Sequence, residues 1–345
     1  MSETTPYSQK ENSYRLLRDR ILSAGLLEKQ PRYYWLTGVF IIGMLGVGFY
    51  FLITLRNPLL LCLNLILLAF ATMQGGLWGH DLAHHQIFKS PRWYIIAGIL
   101  WSDLLIGISF GYWNYKHNRH HAHPNTIDGD GDIEFPVLWF SPLLMKNINA
   151  LQMKILPYQK YYFLPLLIFP YVIQMKNSIF YLLRQRTKTA AMESALFLLH
   201  HFAVGYLFFH FIHFPQSLYL LAAFHALLGI YMGLIFSPNH YGMPILSPEN
   251  GMGYIHEQIS TTRNITPGIF NDIFYGGLNY QIEHHLFPTM PRRNLKHAKK
   301  FVKEFCRADA VAYHETCTLQ AFKEILQQLG EVSHISLATH LISDL

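Results

Sequence analysis

The chain has 345 residues, of which 51% are hydrophobic, 15% aromatic and only 14% charged, with a formal net charge of +6. Soluble domains carry about a quarter charged residues, so this composition argues against two soluble domains and for one membrane domain with a soluble cap. The Lys and Arg residues flank apolar segments, which assigns them to a membrane-facing rim rather than to nucleic acid.

Residues 1–32 are polar and basic, without the short apolar core of a cleavable signal, and are expected on the cytosolic side. Within them, 14–30 set Leu17, Ile21 and Leu27 among Arg15, Arg18, Arg20 and Lys29, the pattern of an interfacial or an ordinary surface helix. A membrane domain is expected over 33–236. Its first span, 33–55, carries no charge before Arg56; at 23 residues a helix covers roughly 34 Å, against a hydrocarbon core of about 30 Å. Arg56-Asn57-Pro58 turns the chain, and 59–79 runs back to deliver His80. The apolar stretch 94–113 contains Asp103, costly at mid-bilayer, and crossing there would put the first two His clusters on opposite faces. It is read as a helix near the cytosolic interface. Residues 161–172 are short, hold Pro165 and Pro170, and read as interfacial or re-entrant. Spans at 191–212 and 217–236 complete a second hairpin.

The fold class expected is therefore an all-α integral membrane protein, with four transmembrane helices in two hairpins. A cytosolic insert, 80–190, and a cytosolic helical cap, 237–345, hold a His-rich dimetal site. Of the 27 Lys and Arg residues, only Arg56 falls on the outer side of this arrangement, as the positive-inside rule requires. Both termini then lie in the cytosol. Cys62, Cys306 and Cys317 form no Cys-x-x-Cys and stand apart from the His clusters, which fits a reducing compartment.

Histidine carries the chemistry. There are 20 of them, and three clusters stand out: His80-Asp-Leu-Ala-His84-His85, His117-Asn-Arg-His120-His121-Ala-His123, and Gln281-Ile-Glu-His284-His285. On a helix, Gln281, His284 and His285 leave one face together. The candidate ligands are His80, His84, His117, His120, His121, His240, His284 and His285, with Gln281 a weaker one. One zinc takes four ligands, so this number suits two metals of five or six coordination. Imidazole accepts zinc, copper, nickel or iron, and ligand type alone does not choose. Asp81, Asp128, Asp130, Asp132 and Glu283 adjoin the clusters as candidate hydrogen-bond partners of metal-bound His, with a solvated Gly-Asp loop the alternative for 128–132.

These three clusters resemble the histidine boxes of the membrane fatty acid desaturases. Trp113-Asn-Tyr-Lys-His117, Pro238-Asn-His240-Tyr-Gly-Met-Pro244 and Gly276-Gly-Leu-Asn-Tyr-Gln-Ile-Glu-His-His-Leu-Phe-Pro288 agree with it, and the similarity covers roughly 33–307. Gln281 at the first position of the third box resembles the front-end, delta-6-like subgroup acting on acyl-lipid or acyl-CoA. The resemblance implies two iron ions on the eight histidines, with Gln281 a ligand, a water holder or an orienting residue. It implies O2 and two electrons as co-reactants, a bilayer setting, and a fatty acyl substrate carried on CoA, acyl carrier protein or phospholipid. The subgroup often carries a fused cytochrome b5 domain with His-Pro-Gly-Gly; here His123-Pro124 is followed by Asn125, and a separate donor of ferredoxin or cytochrome b5 type is expected. Arg292, Arg293, Lys296, Lys299 and Lys300 are candidates to dock it, or to meet a substrate phosphate or anionic lipid. His85 and His123 fall outside the pattern, and His200, His201, His210, His213 and His225 read as packing or hydrogen-bonding residues. The alternatives are a hydroxylase or ketolase on the same scaffold and, in another class, a His-rich membrane transporter of metal or haem.

Overall fold

A computed structural model describes residues 6–146 and 148–343, with side chains over 13–146 and 148–335. The ends of the expected N-terminal segment and cap, 1–5 and 344–345, lie outside the described residues. Helices begin where proline and Asn signal a start. After α1 (Pro6–Ser23), α2 (Pro31–Thr54) and α3 (Pro58–Ala83) each open on a proline, whose missing N–H is no loss in the first turn. The Asn57 side chain accepts from the backbone N–H of Leu59 and Leu60 and caps α3. α4 (Pro91–Ile99) runs into a π-helical turn, Leu100–Ile106, which ends on Gly107 at φ +80°. α5 (Phe110–Ala122) then leaves at 106° to that helix. The stretch 94–113 is thus two helices and a sharp corner rather than one helix, because only Gly adopts the left-handed corner without strain.

Then follow α6 (Ala150–Ile155), α7 (Gln159–Leu166), α8 (Pro170–Arg184), α9 (Lys188–Phe211), α10 (Gln216–His240), α11 (Tyr254–Ser260), α12 (Ile269–Phe274), α13 (Gln281–Leu286), α14 (Arg292–Ala308) and α15 (Thr318–Ser343). Two short strands, β1 (Asn264–Ile265) and β2 (Glu315–Thr316), pair in parallel with Asn264 opposite Glu315.

Among the described residues, α2, α3, α9 and α10 are long and apolar enough to cross a membrane. They match the four expected spans, yet α3 runs on to Ala83 and α10 to His240. Beyond the apolar run the last turns carry buried polar side chains, His80 and Asp81 on α3 and Asn239 and His240 on α10. His80 and His240 are thereby held on rigid helix.

The chain forms two compact units, one of Lys29–His117 with Leu166–Leu234, the other of residues through Glu28, Asn118–Pro165 and everything from Ile235. In the first, the span unit, α2 buries Tyr34, Gly38, Ile41, Leu45, Gly48 and Leu52 along one stripe, and Asn64 of α3 donates to the Gly48 carbonyl at 2.9 Å. The rest of α2 is outward and apolar: Trp35, Leu36 and Phe40 are 70%, 68% and 65% exposed. Burying such a side chain is worth about 1.5–3 kcal/mol, so a surface this apolar fits a lipid surround and not water.

In the second, the C-terminal unit, α14 is amphipathic. Leu295, Ala298, Val302, Phe305 and Cys306 recur at helical spacing and pack with Leu17 and Ile21 of α1. Ile282 and Leu286 of α13 join the same core, so the face of α13 away from its histidines is anchored in apolar packing.

Candidate metal sites

In the span unit, the last turns of α3 and the middle of α5 bring three imidazoles together. His80 and His84 stand four residues apart, and the His80–His84, His80–His117 and His84–His117 ring centroids lie 4.7, 4.8 and 4.8 Å apart. His84 Nε2 and His117 Nε2 approach to 2.8 Å. All three are buried, and Trp113, one turn before His117 on α5, stacks on its ring at 5.1 Å. Asp81 Oδ1 lies 3.4 Å from His80 Nδ1. The Tyr34 hydroxyl is 2.9 Å from Asp81 Oδ2 and 2.7 Å from Gln86 Oε1, which ties this carboxylate to α2.

The C-terminal unit holds the other candidates. His120 and His121 come from the last turn of α5, His240 from the end of α10, and Gln281, His284 and His285 from α13. Donor atoms of His120, His240 and His285 lie within 4.8 Å of one another, and all three are buried. His120 Nε2 is 3.2 Å from His240 Nε2, and His284 Nε2 is 3.1 Å from His121 Nε2. The ring of His121 stacks on that of His285 at 4.3 Å.

What stands behind these rings sets their chemistry. Asp130 Oδ2 accepts from His120 Nδ1 at 2.8 Å, Gln258 Oε1 from His285 Nδ1 at 2.8 Å, and the Thr261 carbonyl from His240 Nδ1 at 3.3 Å. With the proton on Nδ1, each ring turns an Nε2 lone pair inward. The lone pairs of His120 and His240 then face each other, an arrangement that repels unless a cation lies between them. Buried, neutral, pre-aimed imidazoles fit a transition-metal ion.

The acceptors are themselves fixed. The Asp130 carboxylate also accepts from the backbone N–H groups of Asn125 and Asp132, both at 2.9 Å. Asn125, at φ +53°, also donates to the carbonyls of His240 and Pro244. Gln258 is clamped from the other side, its Nε2 donating to the His121 carbonyl at 3.1 Å. Glu283 is fully buried on α13; burial raises its pKa, against hydrogen bonds from Asn264 and the Tyr313 hydroxyl, both at 2.7 Å. Asn264 of β1 meanwhile accepts from the Ile282 N–H and so fixes the start of α13. Arg263, fully buried, donates to the Pro238 carbonyl at 2.7 Å and the Tyr241 carbonyl at 2.5 Å and pairs with Glu324, pinning the end of α10 that carries His240.

Gln281 Oε1 accepts from Asn239 Nδ2 at 3.1 Å, which turns its Nε2 toward His240 Nε2 at 2.9 Å. In this arrangement Gln281 presents a donor to His240, not a lone pair to a metal. His85 and His123 are exposed and stand outside both groups, His85 stacking on Tyr94. Asp128 is exposed beside Lys146, whereas Asp130 and Asp132 join His120. His200 and His201 are engaged with the Leu104 and Gly107 carbonyls, and His225 with that of Leu221.

Sequence reasoning missed Asn125, Gln258, Arg263 and Asn264. Each is a buried polar side chain of an ordinary type, and burial, the property that sets it apart, is not written in a local pattern.

Comparison with known proteins agrees with this geometry. Residues 57–316 match the fatty acid desaturase family pattern. The chain is 32% identical over 290 residues to the acyl-lipid (9-3)-desaturase of Physcomitrium patens, covering 79% of this chain and 54% of that protein. It is 32% identical over 337 residues to the Delta(6)-fatty-acid desaturase fat-3 of Caenorhabditis elegans, covering 93% and 75%. With the Delta(8)-fatty-acid desaturase of Euglena gracilis it shares 28% over 341 residues, 94% and 79% of the two chains. It spans about half the length of the moss protein and about three quarters of the other two. With three histidine clusters on helices, four helices fit to cross a membrane, and a family match over most of its length, the chain belongs to the fatty acid desaturase family of membrane oxidoreductases.

Proposed function

We propose that this chain is a front-end fatty acid desaturase, inserting a double bond between an existing one and the carboxyl end of a fatty acyl chain, with O2 and two electrons. The names of the relatives support it, since the nematode and Euglena proteins are delta-6 and delta-8 desaturases. The observation that carries it is the set of buried histidines whose Nδ1 atoms are engaged from behind and whose Nε2 atoms converge. His80, His84, His117, His120, His121, His240, His284 and His285 would together hold two irons. Iron bound there supplies the activation of O2 and the power to remove two hydrogens from adjacent methylenes.

The chain's own residues do the rest. Asp130, Gln258 and the Thr261 carbonyl keep the imidazoles in the Nδ1–H tautomer, so that no proton has to leave before metal binds. Gln281, held through its Oε1 by Asn239 beside His240, is read as an orienting residue. The burial of these histidines keeps bulk water from the reacting carbon. The topology proposed is α2–α3 and α9–α10 as two membrane hairpins, with the histidines, both termini and the basic face of α14 in the cytosol. That face is suited to an acidic electron carrier. The acyl chain arrives on CoA, acyl carrier protein or phospholipid.

The test is expression of the full chain in a host without polyunsaturated lipids, fed defined fatty acids. New double bonds on the carboxyl side of an existing one are expected. Unchanged fatty acids across the panel sink the proposal, and a hydroxylated or keto product moves the chain to oxygen-retaining chemistry.

A further inference from the structure

α5 carries His117, and its first turn is held by side chains from two other helices of the span unit. The chain reaches it through the corner at Gly107, where side chains take up several backbone groups. His200 Nδ1 meets the Leu104 carbonyl at 2.9 Å, Tyr171 donates to the Ile106 carbonyl at 2.9 Å, and His201 Nε2 meets the Gly107 carbonyl at 3.1 Å. The Ser109 N–H donates to Ser178 Oγ at 3.1 Å, and the Phe110 N–H to Asp103 Oδ2 at 3.2 Å. At the centre stands Glu193 of α9, only 5% exposed, whose Oε2 accepts from Ser109 Oγ at 2.7 Å and from the Gly111 N–H at 2.9 Å. Ser109 Oγ in turn accepts from the Tyr112 N–H at 3.1 Å.

We infer that Glu193 is a positioning residue for the group formed by His80, His84 and His117, acting through the first turn of α5; this rests on the reading of those histidines as metal ligands. A carboxylate in an apolar span is costly and is retained where something holds it. Here it satisfies donors that the start of a helix leaves without intrahelical partners, and its charge sits at the positive end of the helix dipole. His117 lies six residues after Gly111 on the same helix, so a small tilt of the first turn moves its ring relative to His80 and His84 on α3. A metal group tolerates little such movement, since residues that orient ligands change metal affinity by about 10–100-fold when removed. The same contacts explain why α9, which carries no proposed ligand, holds two adjacent histidines and a glutamate along its apolar length.

Two variants separate positioning from folding. Glu193→Ala removes the acceptor. Gly111→Ala leaves the carboxylate but adds a Cβ 2.9 Å from Glu193 Oε1 and 3.1 Å from Tyr181, and by helix propensity alone it would favour α5. The measurement is cobalt(II) titration of the purified full chain in detergent, following its visible absorption, with circular dichroism as a check on helix content. His117→Ala marks the absorption and stoichiometry that belong to this group. For both variants we expect the same component to weaken by about tenfold or more while helix content is retained. Glu193→Gln should recover most of the loss, because its amide oxygen still accepts from the Gly111 N–H. Combining Glu193→Ala with Gly111→Ala should add little to either loss, since both break one contact. Wild-type affinity and absorption in Gly111→Ala and Glu193→Ala overturn the positioning role alone. Absence of a His117-dependent component in wild-type protein overturns the metal reading and this inference together.

Discussion

Gln281 is the residue whose meaning changed most between sequence and structure. By position it stands where a ligand would, but Asn239 holds its oxygen and turns its amide nitrogen toward His240. An orienting role predicts that Gln281→His keeps iron while altering activity. Iron per chain and fatty acid products of the variant check this, and complete loss of iron would show that Gln281 is needed to assemble the site. The Arg263–Glu324 pair allows a pH test at the same scale. Burial alone would raise Glu324, but hydrogen bonds from His314 and Gln320 and the charge of Arg263 lower it from its ordinary 4.5. A carboxylate lowered in the folded state contributes stability that is full above its unfolded value and is lost as pH falls through the folded one. Thermal melts of wild type and Glu324→Gln should therefore differ at pH 7 and converge as pH drops below 4.5. A gap that persists in acid would assign the effect to packing. The ligand types and spacings were legible in the sequence because they recur at helical intervals; Gln258 and Arg263 were not, because their partners lie tens of residues or more away.

At the scale of elements, the sequence marks helices well where apolar period, proline and Asn caps agree, as at α2 and α3. It marks corners poorly. Residues 94–113 look like one apolar helix, and the break falls at a single glycine whose φ of +80° is invisible in hydropathy. A Cβ at Gly107 would also lie 2.4 Å from the His200 ring. Gly107→Ala should therefore cost about 1–2 kcal/mol in backbone strain before His200 moves at all, and the melting temperature in detergent should fall. An unchanged melt would mean that the corner relaxes without cost.

For the whole molecule, charge distribution is the strongest clue the chain itself offers. All Lys and Arg but Arg56 fall on one side of the proposed four-span topology. In a cysteine-free background, Arg56→Cys should react with a membrane-impermeant maleimide on intact cells, and Ser247→Cys only after lysis. The opposite pattern would invert the proposed topology. Composition and apolar run length by themselves determined the class and the four long helices, because each is a local or summed property of the chain, while the family rested on the likeness of its three histidine clusters to known ones. Only the tertiary structure decided which carboxylate, amide and carbonyl stand behind His120, His285 and His240, that Gln281 faces His240 as a donor, and that Glu193 holds the first turn of α5. Those facts depend on hydrogen bonds between residues from 10 to more than 80 positions apart, and such partners are chosen by packing, which no local pattern records.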